Sequence, residues 1–194
     1  MERQVVHAVV PADGTPVQVN WLPAPPERIP GAVRCVCISD THLQHRDLHS
    51  PLPLGDILIH CGDVLLESRK ATVEDMCDLT DFNNWLGGLS HKHRLLVAGN
   101  HDGALQELRS LGVTRLLSHC TYLEDESIEL ESLKIHGSPL SAGTSPNAVF
   151  QSQSGYDEAK AIAAVPEGGG VNPPPCQSRQ ASKLRCEIFS HCQD

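Results

Sequence analysis

Residues 37–42 read C-I-S-D-T-H, so an apolar run ends with a carboxylate, Asp40, and an imidazole, His42, two residues apart. Two more apolar runs stop in the same manner. "DILIHCGD" reaches Asp63, and "HRLLVAGNHD" reaches Asn100 and His101. Carboxylate oxygens and neutral imidazole suit Mn, Fe, Zn or Mg, rather than a soft metal that wants thiolates. Asn100 offers a carbonyl oxygen without adding charge. An Asp can bridge two ions about 3.5–4 Å apart, and such a pair activates a water and clamps the oxygens of a phosphoryl centre. His101 is placed to stabilise or protonate a leaving oxygen. Gly62 and Gly99 stand just before these ligands and permit close backbone approach. Each of the five residues, taken singly, is also an ordinary polar residue at a strand end. Three runs ending alike are what point to a site.

The elements that must position these residues are legible. "AVRCVCIS" is continuous and β-branched, as expected of a strand covered on both faces. "DILIHCGD" and "HRLLVAGNHD" predict two further strands, with a helix between them. Thr72 followed by Asp75 resembles a capping box, and Val73, Met76, Cys77, Leu79, Trp85, Leu86 and Leu89 recur at helical spacing as a core face. A shorter helix, "ALQELRSL", stops at Gly112. "SIELESLKIHGSP" predicts two short strands and a turn, and "DEAKAIAAVPEG" a short helix. Strands alternating with helices predict an α/β fold with a largely parallel sheet. In such sheets ligands gather at the carboxyl ends of the strands.

With these motifs in order, the chain resembles the calcineurin-like metallophosphoesterase superfamily. "VCISDTH", "GDILIHCGD", "FNNWLGGL", "VAGNHD" and "KIHGSP" resemble the metallophosphoesterase-domain-containing branch, which includes cyclic-nucleotide phosphodiesterases; the match runs from about Arg34 to Pro166. The resemblance implies a β-sandwich flanked by helices. It implies two divalent metal ions, with Asp40 and His42 on the first, Asp63 bridging, Asn100 on the second, and His101 as the catalytic histidine. The implied substrate is a small phosphoester or a nucleotide.

The chain departs from that family further on. After His101 it holds only His119, His136 and His191, and no G-H-x-H motif that would complete both metal shells. It is expected to leave the family at about Gly168, where "GGGVNPPPCQSRQ" has a linker's composition. The expected organisation is a lead-in over 1–31, a partial domain over 32–167 and a divergent, disordered tail over 168–194. An incomplete domain should also leave an exposed sheet edge. The ligand count favours the first metal site over the second. Two functions follow: a metal-dependent phosphoesterase, or a non-catalytic product that at most binds metal or nucleotide.

Composition sets the outer limits. The 194 residues carry a net charge of −9, which argues against affinity for nucleic acid or an anionic membrane. No signal-like or membrane-length apolar run is seen, so a cytoplasmic location and reduced cysteines are expected. Cys176, Cys186, His191 and Cys192 fit no familiar zinc spacing. His45, His49, His91 and His93 sit in polar stretches and read as solvated surface.

Overall fold

The computed structural model describes residues 6–7, 27–28, 30–48, 51–67, 70–141, 147, 149–166 and 185–190. A five-stranded sheet runs in the order β1 (Val6–His7), β2 (Cys35–Ile38), β3 (Ile57–His60), β4 (His93–Leu96) and β5 (Thr121–Tyr122). β2 to β5 are parallel, and β1 pairs antiparallel on the outer edge of β2. The three predicted strands are therefore neighbours, and their carboxyl ends lie side by side.

Alternation along these strands makes two cores. Val36, Leu58, Leu96 and Ala98 face the layer that contains Leu79, Phe82, Leu86, Leu105 and Leu108 from α1 (Val73–Gly87) and α2 (Gly103–Leu108). Cys35, Ile57, Ile59, Leu95 and Val97 point the other way, against Leu123 and Ile135. Ile135 belongs to a second sheet of β6 (Glu126–Leu130), β7 (Leu133–Ser138) and β8 (Arg185–Ser190). A sheet buried on both faces needs apolar side chains at consecutive positions, and this is why the strand sequences are continuous rather than alternating. The product is the expected mixed α/β architecture, a β-sandwich with helices against one sheet.

Local signals explain most element ends. Thr72 and Asp75 form the capping box at the start of α1: Asp75 N–H donates to Thr72 Oγ1 at 3.1 Å, and Thr72 N–H to Asp75 Oδ2 at 2.9 Å. β6 and β7 form a hairpin whose turn residues, Glu131 and Ser132, have φ of 51° and 66°. Both central residues in the left-handed region mark a type I′ turn, whose twist matches that of the strands. A third helix, α3 (Glu158–Ala164), begins at Asp157, whose carboxylate accepts from Lys160 N–H.

Several expectations need correction. The buried face of α1 is Leu79, Phe82, Asn83 and Leu86, a strict i, i+3, i+4, i+7 set, while Val73 and Cys77 are exposed. At 100° per residue, those two lie well off the axis of the core stripe. His45 and His91 are buried rather than solvated, and His93 is only partly exposed; His49 lies outside the described residues. Within the segments read as lead-in and tail, β1 and β8 extend the sheets. β8 covers an edge of β7 by pairing Leu133 with Ser190 through Ser138 with Arg185. The backbone groups on that side of β7 need partners, and an extended run supplies them. The remaining residues of the tail, including His191, lie outside the described set, as does most of the lead-in. Among the described residues no helix is long and apolar enough to cross a membrane.

Replacing Thr72 by alanine removes the hydroxyl that accepts from Asp75 N–H and keeps the backbone bond to Asp75 Oδ2, and is expected to destabilise the protein by about 1 kcal/mol. The check is the urea unfolding midpoint at unchanged m-value.

Candidate metal centre

The loops after β2, β3 and β4 build the site, and backbone hydrogen bonds tie them together. Beyond the end of β2, Asp40 N–H donates to Gly62 O at 3.0 Å, His42 N–H to Asp63 O at 3.0 Å and Leu43 N–H to Val64 O at 2.8 Å. Asp40, His42 and Asp63 all adopt positive φ, at 55°, 43° and 55°. Such values are uncommon for residues with a Cβ and persist only where surrounding contacts impose them. Here the zipper between the loops imposes them.

Three side chains converge. His42, Asp63 and His101 each present a ligand atom, and these atoms lie within 4.8 Å of one another. His42 Nδ1 donates to Leu65 O at 2.8 Å, and His101 Nδ1 donates to Leu66 O. With Nδ1 protonated and engaged, each ring turns its Nε2 toward the shared space, the arrangement that orients metal-binding imidazoles. The two rings meet edge to face with centroids 4.8 Å apart. Asp63 is 6% exposed, and its Oδ1 accepts the His101 N–H at 2.9 Å. Burial raises its pKa first, opposed by that N–H, and the charge of Asp40 adds to the rise.

Asp40 lies on the loop that carries His42, and Asn100 on the loop that carries His101. The Asp40 carboxylate accepts from the Ser39 hydroxyl and stands outside the converging set, although its charge reaches Asp63. Asn100 is buried beside His101 in the turn after β4. Among the His, Cys, Asp and Glu side chains of the described residues, the structure brings together His42 and Asp63, both expected as ligands, with His101, expected as the catalytic residue.

The donor set and the backbone both fit a divalent metal. One carboxylate and two imidazoles match the preference of Mn, Fe or Zn. The floor is shaped for close approach. A Cβ added at Gly99 would lie 2.6 Å from Asp63 N, and one at Gly62, whose φ is 96°, would lie 2.5 Å from Gly99 N. No side chain larger than hydrogen fits either position without moving the loop that carries Asp63.

Two supporting residues escaped the sequence reading. Asp102 is fully buried, and its carboxylate accepts from Asp63 N–H at 2.8 Å, Leu65 N–H at 2.9 Å and Gly99 N–H at 2.8 Å. Burial pushes its pKa up to about 7, with the Asp63 charge next, against the pull of the three donors. The final D of G-N-H-D was the available signal, because an acid at the foot of a glycine turn has N–H groups within reach. His60 is the other. Its Nδ1 accepts from Gly62 N–H at 3.3 Å, so Nε2 carries the proton and donates to Thr41 Oγ1 at 3.0 Å. Ending an apolar strand, it offered no signal beyond its residue type.

The calcineurin-like phosphoesterase family matches residues 33–151, and the chain belongs to that family. A UPF0046 protein of Caenorhabditis elegans is 39% identical over 121 residues, covering 55% of this chain and 41% of the relative. The human metallophosphoesterase domain-containing protein 1 is 29% identical over 143 residues, covering 62% and 41% respectively. The chain therefore spans about two fifths of the length of these curated relatives. The family it belongs to is one of phosphoesterases.

Asp102→Asn replaces an acceptor-only group with one that also donates, so at least one of the three N–H groups loses its partner. The expected cost is about 1–3 kcal/mol, read by denaturant unfolding, with weaker metal binding by calorimetry. His60 gives a pH dependence. Burial, and then the charges of His45 and His42, hold its pKa down at about 3 against 6.5 for the free group. The native ring stays neutral while the unfolded chain takes up the proton, so this contribution is complete above pH 6.5 and is lost as pH falls toward 3. His60→Gln is expected to make the acid limb of the stability curve shallower by about one proton, measured as ΔG of unfolding against pH.

Proposed function

We propose that this chain carries a metal-dependent phosphoesterase domain, spanning 32–167, that hydrolyses phosphomonoester or phosphodiester bonds. The observation that carries the reading is the convergence of His42, Asp63 and His101, within 4.8 Å, at the carboxyl ends of adjacent parallel strands. His42 and Asp63 are the principal metal ligands, and Asp40 and Asn100 adjoin them. Bound divalent metal supplies Lewis acidity toward a phosphoryl oxygen and makes water nucleophilic near neutral pH. Leu65 O and Leu66 O hold the rings of His42 and His101 with Nε2 inward. As water adds to phosphorus it releases a proton and the bond to the leaving oxygen breaks; that oxygen takes the Nε2 proton of a doubly protonated His101, whose Nδ1–H stays on Leu66 O, and the proton released by water restores the ring.

The donor number favours a second reading. The three side chains that converge among the described residues suffice for one ion, and a single-ion cradle could bind metal or nucleotide without turnover.

Hydrolysis of bis(p-nitrophenyl) phosphate with added manganese separates the two. The expected result is manganese-dependent turnover that falls by about 10²-fold or more in both Asp63→Ala and His101→Ala. Metal binding by calorimetry should be lost in Asp63→Ala and retained in His101→Ala. Turnover unaffected in both variants overturns the phosphoesterase reading. Absence of turnover with Mn, Fe, Zn and Mg, while metal still binds, establishes the non-catalytic cradle instead.

A further inference from the structure

The loop that carries His42 is held in a conformation it would not take alone. Asp40, His42 and Leu43 have φ of 55°, 43° and 63°, and such left-handed residues persist only where surrounding contacts impose them. On one side the contacts are the backbone bonds to Gly62, Asp63 and Val64. On the other, a short 3-10 turn, His45–Asp47, follows at once, and its first two residues grip one carboxylate, Asp81 of α1. His45 Nε2 donates to Asp81 Oδ2 at 3.0 Å. Arg46 adds a fork, Nε to Oδ2 at 3.0 Å and Nη2 to Oδ1 at 2.8 Å. We infer that Asp81 is a positioning residue for His42: by holding this turn on α1, it keeps His42 and Leu43 left-handed and the imidazole directed at the metal site. The inference rests on the reading of His42 as a metal ligand given above.

The chemistry of His45 argues for more than packing. Its ring is 2% exposed and lies against Phe82 and Trp85, with centroids 5.3 and 5.2 Å away. Its buried Nδ1 has no hydrogen-bond partner among the described residues. An imidazole here carries a desolvation cost that a leucine would avoid, and what it adds over a leucine is the directed bond to Asp81. The link from His45 back to His42 is short and stiff. Gln44 N–H donates to Thr41 O at 2.8 Å and Asp47 N–H to Gln44 O at 3.0 Å, so residues 41–47 form two successive closed turns. No glycine lies between His42 and Asp47 to absorb a displacement. Phe82, next to Asp81, also packs edge to face on His60, which bonds Thr41. α1 therefore bears on the loop on both sides of His42.

The test is manganese binding to the full chain by calorimetry. Asp81→Ala is expected to weaken binding about tenfold, as loss of a group that orients a ligand does, and Asp81→Asn, which keeps the bulk and gives up the charge, to weaken it as well. Thr72→Ala weakens the start of the same helix without touching the loop, and its affinity should be that of the wild type. Unchanged affinity in both Asp81 variants, or an equal loss in Thr72→Ala, overturns the role of Asp81 and leaves the phosphoesterase reading standing. If the wild type binds no manganese, the reading of His42 as a ligand falls by itself. The hold on the loop is then read without metal, from hydrogen exchange of the His42 and Leu43 amides, which donate to Asp63 O and Val64 O. Exchange about tenfold faster in Asp81→Ala than in Thr72→Ala supports it, and equal exchange overturns it.

Discussion

The site depends on one buried carboxylate. Asp102 accepts N–H groups from the loop after β3 and from the loop after β4, and in doing so fixes the separation of the two strand ends. One side chain takes three backbone N–H groups from two loops, so this residue outweighs the single backbone ties around it. Its position follows from close approach: only glycine at 62 and 99 lets the two loops come near enough for one side chain to span them. Asp63 then has its backbone held by Asp102 and its Oδ1 held by His101 N–H. The Asp63 carboxylate enters the shared space with its direction set.

The sandwich supplies the rigidity that such ties need. Residues 57–59 and 95–98 are buried on both faces of the first sheet, so the strand ends cannot slide without opening two cores. The left-handed conformations of Asp40, His42 and Asp63 are unfavourable locally and gather where the loops meet. Their cost is met by the packing beneath them, the usual relation between a functional cleft and its scaffold. A second anchor lies at the far end of the Asp40–His42 loop. The carboxylate of Asp81 on α1 accepts from His45 Nε2 at 3.0 Å and from Arg46 Nη2 at 2.8 Å, and the Arg46 bonds lead in holding the pKa of Asp81 down at about 2. That loop is thereby fixed to the helical layer as well as to its neighbour.

The histidines show where residue type misleads. His45 lies in the polar stretch "THLQHRD", yet it is 2% exposed, packed against Phe82 and Trp85. His91 is buried in the same way, with Nε2 donating to Pro53 O at 3.0 Å. Neither burial is visible locally, because the covering groups come from segments more than thirty residues away. The face of α1 was misread for a related reason. Val73 and Cys77 are apolar by type, but the direction of a helix's buried face is set by what packs on it, here the sheet through Leu79, Phe82 and Leu86.

Period, propensity and turn chemistry are local, and so the strands β2 to β4, the capping box at Thr72, the hairpin after Glu126 and the candidate residues themselves could be read along the chain. The grouping of those residues is not local. That Asp40 stands aside while His101 joins His42 and Asp63 depends on carbonyls of Leu65 and Leu66 turning two rings inward. The third strand of the second sheet, at Arg185–Ser190, was likewise hidden in a stretch read as tail, since it exists only through its pairing with β7. Residue types along the chain settle which groups are available and the order of the elements that carry them. Tertiary structure decided which of them meet, because distances across loops are set by close backbone approach and shared hydrogen-bond acceptors, not by spacing along the chain.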